Sequence, residues 1–131
     1  MIIIALCTDE DKIVNYWNSI EKQVEIEIDV LNDLTNEAVE VGKLNPWLTY
    51  GEPLHRMREW GVHLRIMDLI DEQALGVSQL HKFCSSLFGV EMPSFETDPD
   101  MFVAAVDNEN AREGNIFCPV LKRFFNLVYC F

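Results

Sequence analysis

Basic residues are scarce in this chain. Ten Lys and Arg stand against 22 Asp and Glu in 131 residues, a formal net charge of −12. Nucleic acid and anionic membrane are bound by clustered Lys and Arg that neutralise phosphate, so direct contact with either is disfavoured. Glycine and proline are few as well, at 6 and 5 residues. They form no Gly/Ser linker, and the length fits one domain spanning residues 1–131. Long apolar runs are missing. The stretch Ile2 to Leu6 is too short for a signal-peptide core and is followed by Asp9, Glu10 and Asp11. The segment 116–131 carries Lys122 and Arg123, too short and too charged to span a bilayer. These absences predict a cytoplasmic protein with no membrane partner. The four cysteines, Cys7, Cys84, Cys118 and Cys130, are scattered and read as free thiols. A phosphate-cradling glycine loop, a zinc-protease helix and a nucleophile elbow are all lacking, which predicts no enzymatic activity and no cofactor.

What is present suits a globular core. Hydrophobic residues make up 49% and aromatics 11% of the chain, too many for a disordered one. Capping signals divide it into helical lengths. Thr8 precedes an acidic first turn, and Pro53 fits the first position of a helix from Leu54 to Gln73. Ser78 can open a helix that Gly89 ends, and Asp98 with Pro99 opens one that Gly114 ends. Pro119 would start a last helix towards Phe131, whose residues Val120, Leu121, Phe124, Phe125, Leu127 and Val128 are apolar nearly all round.

The segment from Asp9 to Lys43 has two periodicities. Val24, Ile26, Ile28 and Val30 alternate as in a strand. Over the longer window Ile13, Trp17, Ile20, Val24, Ile28, Leu31, Leu34, Ala38 and Val41 share one helical arc of roughly 140°. The longer match predicts an all-α fold, a compact bundle of about five helices with a long acidic N-terminal helix. The alternative is α+β, with a short strand or hairpin near residues 2–6 and 24–30.

On that long helix the acids form a stripe. Glu21, Glu25, Asp29, Asp33 and Glu37 recur every fourth residue, Glu40 lies in the same arc, and no Lys or Arg occurs from Gln23 to Gly42. Like charges at this spacing repel by a few tenths of a kcal/mol per pair, and helices usually relieve this with Lys. Four residues rise about 6 Å, comparable with successive phosphates on a nucleic-acid strand. These six acids are therefore the candidate partner-binding residues, each standing in for a phosphate. The expected partner is a basic protein, namely a nucleic-acid-binding protein or a nuclease, and the expected function is that of an inhibitor or immunity-type protein occupying its groove. In composition alone, with no motif behind it, the chain is similar to phage anti-restriction and anti-CRISPR proteins and bacterial nuclease-immunity proteins. A solvated acidic face is the plain alternative. On the stripe reading, Asp29→Lys with Asp33→Lys is expected to lower partner capture sharply and to leave stability nearly unchanged or improved. A second acidic block without a base runs from Glu91 to Glu109.

Other features point elsewhere. Trp47, Tyr50, Phe95 and Phe102 near loops would anchor a scaffolding subunit that associates through apolar surface. The turn at Leu75 to Leu80 resembles that of a helix-turn-helix regulator, with His81, Lys82 and Ser85 facing out. His81 and Cys84 share a helix face but lack two further zinc ligands, and the sequence from Asp107 lacks the glycine of a calcium loop. No metal site is expected.

Overall fold

The computed structural model describes residues 2–62 and 64–128. An all-α bundle is not what the chain adopts. Among the described residues six helices combine with four short strands in two small sheets, an α+β fold. The long N-terminal helix is replaced by β1 (Ile2–Ala5), α1 (Asp11–Gln23), β2 (Ile28–Leu31) and α2 (Leu34–Leu44). The strands pair in parallel, with Ile2 opposite Ile28 and Ala5 opposite Leu31. They form a βαβ unit and not a hairpin.

Burial explains the choice. A continuous helix puts Ile26 and Val30 off its apolar face and stacks acids every fourth residue. As a strand, β2 sinks Val30 and Leu31 to 5% and 0% exposure, while Ile2 and Leu6 donate backbone hydrogen bonds to Glu27 and Leu31. The β-branched run from Val24 to Val30 also favours extended backbone over helix. Asp33 then opens α2 as its N-cap, its carboxylate accepting from the backbone N–H groups of Thr35 and Asn36.

Further along, α3 (Glu52–Glu59) stops where Gly61 takes φ +68°, and one turn, α4 (Arg65–Asp68), follows. The single helix expected from Leu54 to Gln73 is thus broken. By contrast α5 (Val77–Phe88) ends at left-handed Gly89, as expected. α6 (Pro99–Glu113) starts at Asp98, whose carboxylate accepts from the N–H of Met101, and stops at Gly114. The last helix expected from Pro119 does not form among the described residues 119–128. β3 (Ile116–Cys118) and β4 (Arg123–Phe125) form an antiparallel hairpin turning at Lys122, φ +54°. Tertiary partners claim Leu127 and Val128: the Thr49 backbone N–H donates to the Leu127 carbonyl, and Val128 bridges to Leu48. The buried Asn110 amide bonds both backbone groups of Val128. Residues 129–131 lie outside the described residues. No described helix is long and apolar enough to cross a membrane.

The core joins α2, α3, α5 and α6 through Val41, Leu54, Ile70, Phe83, Val106 and Val128. Trp47 packs edge-on against Phe83. Fully buried Asn45 fastens the turns after α4, its amide N–H groups donating to the Ile70 and Gln73 carbonyls and its oxygen accepting from the N–H of Leu75. Asn45→Ala orphans three backbone groups and is expected to lower unfolding stability by about 3 kcal/mol in urea titration. A loss below about 1 kcal/mol means that water replaces the amide.

Candidate functional site

The charged centre of the molecule is Arg58, on the last turn of α3 and 3% exposed. Leu54, one turn earlier, is buried on the same face, so the helix carries a guanidinium into its own apolar side. Three carboxylates meet it there. Nη1 donates to Glu37 of α2 at 2.8 Å, and Nη2 donates to Asp29 of β2 at 3.2 Å and to Asp71, beyond α4, at 2.9 Å. The second oxygen of Glu37 accepts from the backbone N–H of Asn32 at 2.8 Å. A buried cation of this kind is tolerable only when hydrogen-bonded to counter-charges.

The balance of charge is negative. Burial pushes the Glu37 carboxyl up to about 8 against the pull of Arg58, with Asp71 adding to the rise. Burial likewise raises Asp29, again against Arg58. Burial alone works against the Arg58 charge, but Asp71 and Glu37 outweigh it and hold the guanidinium firmly protonated. Beside the cluster, burial raises the Tyr50 phenol. The Tyr50 hydroxyl meets Nδ1 of His55 at 3.1 Å, and burial lowers the imidazole.

Two acidic hollows open from this centre. One, of about 410 Å³, is walled by Glu21, Glu27, Asp29, Asp68 and Glu72, with Arg65 the cation among its lining residues. Burial and then Asp29 push Asp68 up to about 6. Burial also raises Glu21, whose carboxylate accepts from the N–H of Val30 at 3.1 Å. The other, of about 400 Å³, is walled by Asn32, Glu40 and Asp71 with the cation Lys22, and shares Glu21, Asp29 and Glu72 with the first. Burial raises Glu40, then Asp71 does, against the pull of Lys43. One carboxylate oxygen each from Glu37, Glu40 and Asp71 lies within 4.8 Å of the others. Four polar atoms here are buried without a partner: Asp29 Oδ2, Asn32 Oδ1, Asp71 Oδ1 and Arg58 Nε.

The six acids expected to form one outward stripe are therefore dispersed. Glu21 sits on α1, Glu25 in the exposed turn after it, and Asp33 at the cap of α2. Asp29 and Glu37 face inward to Arg58, and Glu40 lines the second hollow. They do not stand at a common 6 Å interval. In the second acidic block Asp98 is a cap, Glu109 pairs with Arg112 at 2.8 Å, and Glu91 and Asp107 are simply exposed. Trp47, Tyr50 and Phe102 belong to the core, and Phe95 packs edge-on against Phe102. His81 Nε2 meets the Met92 carbonyl at 2.6 Å while Cys84 is buried, so the two form no pair of ligands. The turn at Leu75 follows a single helical turn and not a full helix, which removes the first half of a helix-turn-helix.

Arg58, which the sequence offers only within a small basic patch with Arg56 and Arg65, is not among the expected site residues, and neither are Asp71 and Asn32. A charge four residues after Leu54, within an apolar stripe, is the one signal that pointed to the first. No family model matches the chain, and no curated protein and no solved structure matches it either.

Proposed function

We propose that this chain is a non-enzymatic binding protein that occupies the basic surface of a protein partner, of the kind a nuclease or nucleic-acid-binding protein presents. Contact is made by the acidic hollow between α1 and α4. The observation that carries this reading is its charge balance: Glu21, Glu27, Asp29, Asp68 and Glu72 with only Arg65 among them. Lys or Arg side chains from a partner relieve that crowding at little cost, because Glu27 and Glu72 are already exposed. Long-range attraction to such a partner speeds encounter and fades beyond a Debye length of about 8 Å at physiological salt.

Capture of the partner from host lysate on immobilised protein, followed by stepwise salt elution, tests the proposal. Elution at moderate salt is expected, together with an order-of-magnitude loss of affinity in Glu27→Lys/Glu72→Lys. That double variant is expected to keep its Tm within about 2 °C, since exposed charges contribute little to stability. Salt-resistant capture unaffected by the double variant overturns it. A second reading, association through apolar surface, is favoured by Phe117, Leu121 and Phe124, which are 43%, 60% and 66% exposed on the β3–β4 hairpin. It predicts capture that survives high salt and fails in Phe124→Ser.

A further inference from the structure

We propose that the groove lined by α2 and the β3–β4 hairpin binds a small amphiphile, a medium-length alkyl chain ending in a carboxylate. Neither acidic hollow contributes to it. The groove has a volume of about 340 Å³, near the lower end for small-molecule sites, which are mostly apolar with a few polar groups. Val39 and Pro46 line it from α2 and the loop beyond, and Cys118, Leu121 and Phe125 line it from the hairpin. A helix, about 10–12 Å across with its side chains, is too wide for that space, whereas one alkyl chain fits. Gly42 points to an occupant. It lies inside α2, where glycine weakens a helix relative to alanine. The fold does not ask for glycine there: its φ is not positive, and a Cβ placed on it meets nothing within 4 Å. Gly42 lines the groove, so what its missing side chain leaves is room for a ligand.

Charge selects the head group. In a chain with 22 acids no Asp or Glu lines this groove, and none occurs after Glu113. Its one charged lining residue is Lys43. Lys43 also attracts Glu40, but Glu40 lines the second acidic hollow and not the groove. A second cation stands beside it. Arg123 of β4 pairs across the hairpin with Cys118, and directly opposite residues of an antiparallel pair share one face of the sheet. Phe125, two residues on, lies on that face as well. Arg123 is therefore on the side of the hairpin that carries Cys118 and Phe125 into the groove, although it does not itself line it. A carboxylate gains from both cations, a neutral head gains from neither, and an ammonium is repelled. Phe117 and Phe124 stack on each other on the opposite side of the hairpin, so the groove is distinct from the surface they expose.

The test titrates the full chain by calorimetry with sodium hexanoate, octanoate and decanoate, with octanol and with octyltrimethylammonium, all below micelle formation. One saturable site is expected, with affinity rising about fourfold per added CH₂ until the groove is full. Octanoate is expected to bind more tightly than octanol, and octyltrimethylammonium most weakly. Alkylation of the half-buried Cys118, followed by peptide mass spectrometry, is expected to slow as octanoate binds, while exposed Cys7 reacts as before. Gly42→Leu fills the open space and is expected to weaken octanoate binding about tenfold or more with an unchanged or higher Tm. Lys43→Glu with Arg123→Glu changes two exposed side chains and is expected to stay folded by circular dichroism and to reverse the order of octanoate and octyltrimethylammonium. Absence of saturable binding overturns the proposal, as do equal affinities for the three head groups, unaltered binding in Gly42→Leu or unprotected Cys118. Self-association that octanoate does not disperse and that Leu121→Ser abolishes puts a second copy in the groove and overturns it too.

Discussion

Replacing Arg58 with Met is expected to lower stability by about 3–5 kcal/mol at neutral pH, the largest loss of any single substitution considered. The change keeps the apolar stem and deletes the guanidinium, leaving Asp29, Glu37 and Asp71 facing one another with no counter-charge. Removing one partner of a buried ion cluster costs far more than replacing the whole cluster with neutral groups. Two further results follow from the same geometry. Adding Asp29→Asn, Glu37→Gln and Asp71→Asn to Arg58→Met is expected to recover more than half of the loss. Acidification to about pH 5 is expected to shrink it as well, because protonation removes the repulsion. Equilibrium urea unfolding of the single and combined variants reads all three. An Arg58→Met protein within about 1 kcal/mol of wild type means the guanidinium does not hold the three elements together. The same centre revises an expectation from the sequence. Asp29→Lys places a second cation beside Arg58 and is expected to destabilise strongly, whereas Asp33→Lys costs only an N-cap, about 1 kcal/mol.

Stability is also expected to fall as pH rises from about 5 to about 9, in contrast to most proteins, whose paired carboxylates give the reverse slope. Glu37 is the chief cause, since burial lifts its carboxyl from an ordinary 4.5 to about 8 in the folded chain. A group raised on folding binds its proton more tightly in the native state. Its contribution is complete below the unfolded value and is lost as pH climbs through the folded one. Asp68, raised from 3.8 to about 6, acts in the same direction lower in the range. The steepest slope for one group approaches about 1.4 kcal/mol per pH unit. His55 opposes this at the acid end: burial lowers its folded value below 6.5, so its contribution is lost as pH falls. Tm is therefore expected to peak in mildly acid solution. Glu37→Gln keeps the shape, removes the proton and is expected to flatten the alkaline limb. A limb equally steep in that variant assigns the pH dependence to the net charge of −12.

Local chemistry made part of this fold legible. Asp98, Pro99 and Gly114 bound α6 because a cap, a fixed φ and a left-handed stop act within a few residues. Gly89 ends α5 for the same reason. The nine-position apolar arc from Ile13 to Val41 is a false continuity, and its α1 part buries no residue, Ile13 being 38% exposed. Its first part runs along α1 and its last part along α2. Between them, pairing of Ile28 to Leu31 with Ile2 to Ala5 stabilises a strand that no window centred on residue 28 contains. The apolar run after Pro119 misled in a similar way. Val128 is claimed by Asn110, 18 residues away.

By itself the sequence determined the sign and surplus of charge, the scarcity of cations able to answer it, the stop of α5 at Gly89 and both ends of α6, while α5 starts at Val77 after Gly76 and not at Ser78. Only tertiary structure decided which acids remain available to solvent. Arg58 meets Asp29, Glu37 and Asp71 across separations of 29, 21 and 13 residues. Charge is a property of each residue, but neutralisation depends on distance, and distance is set by the fold.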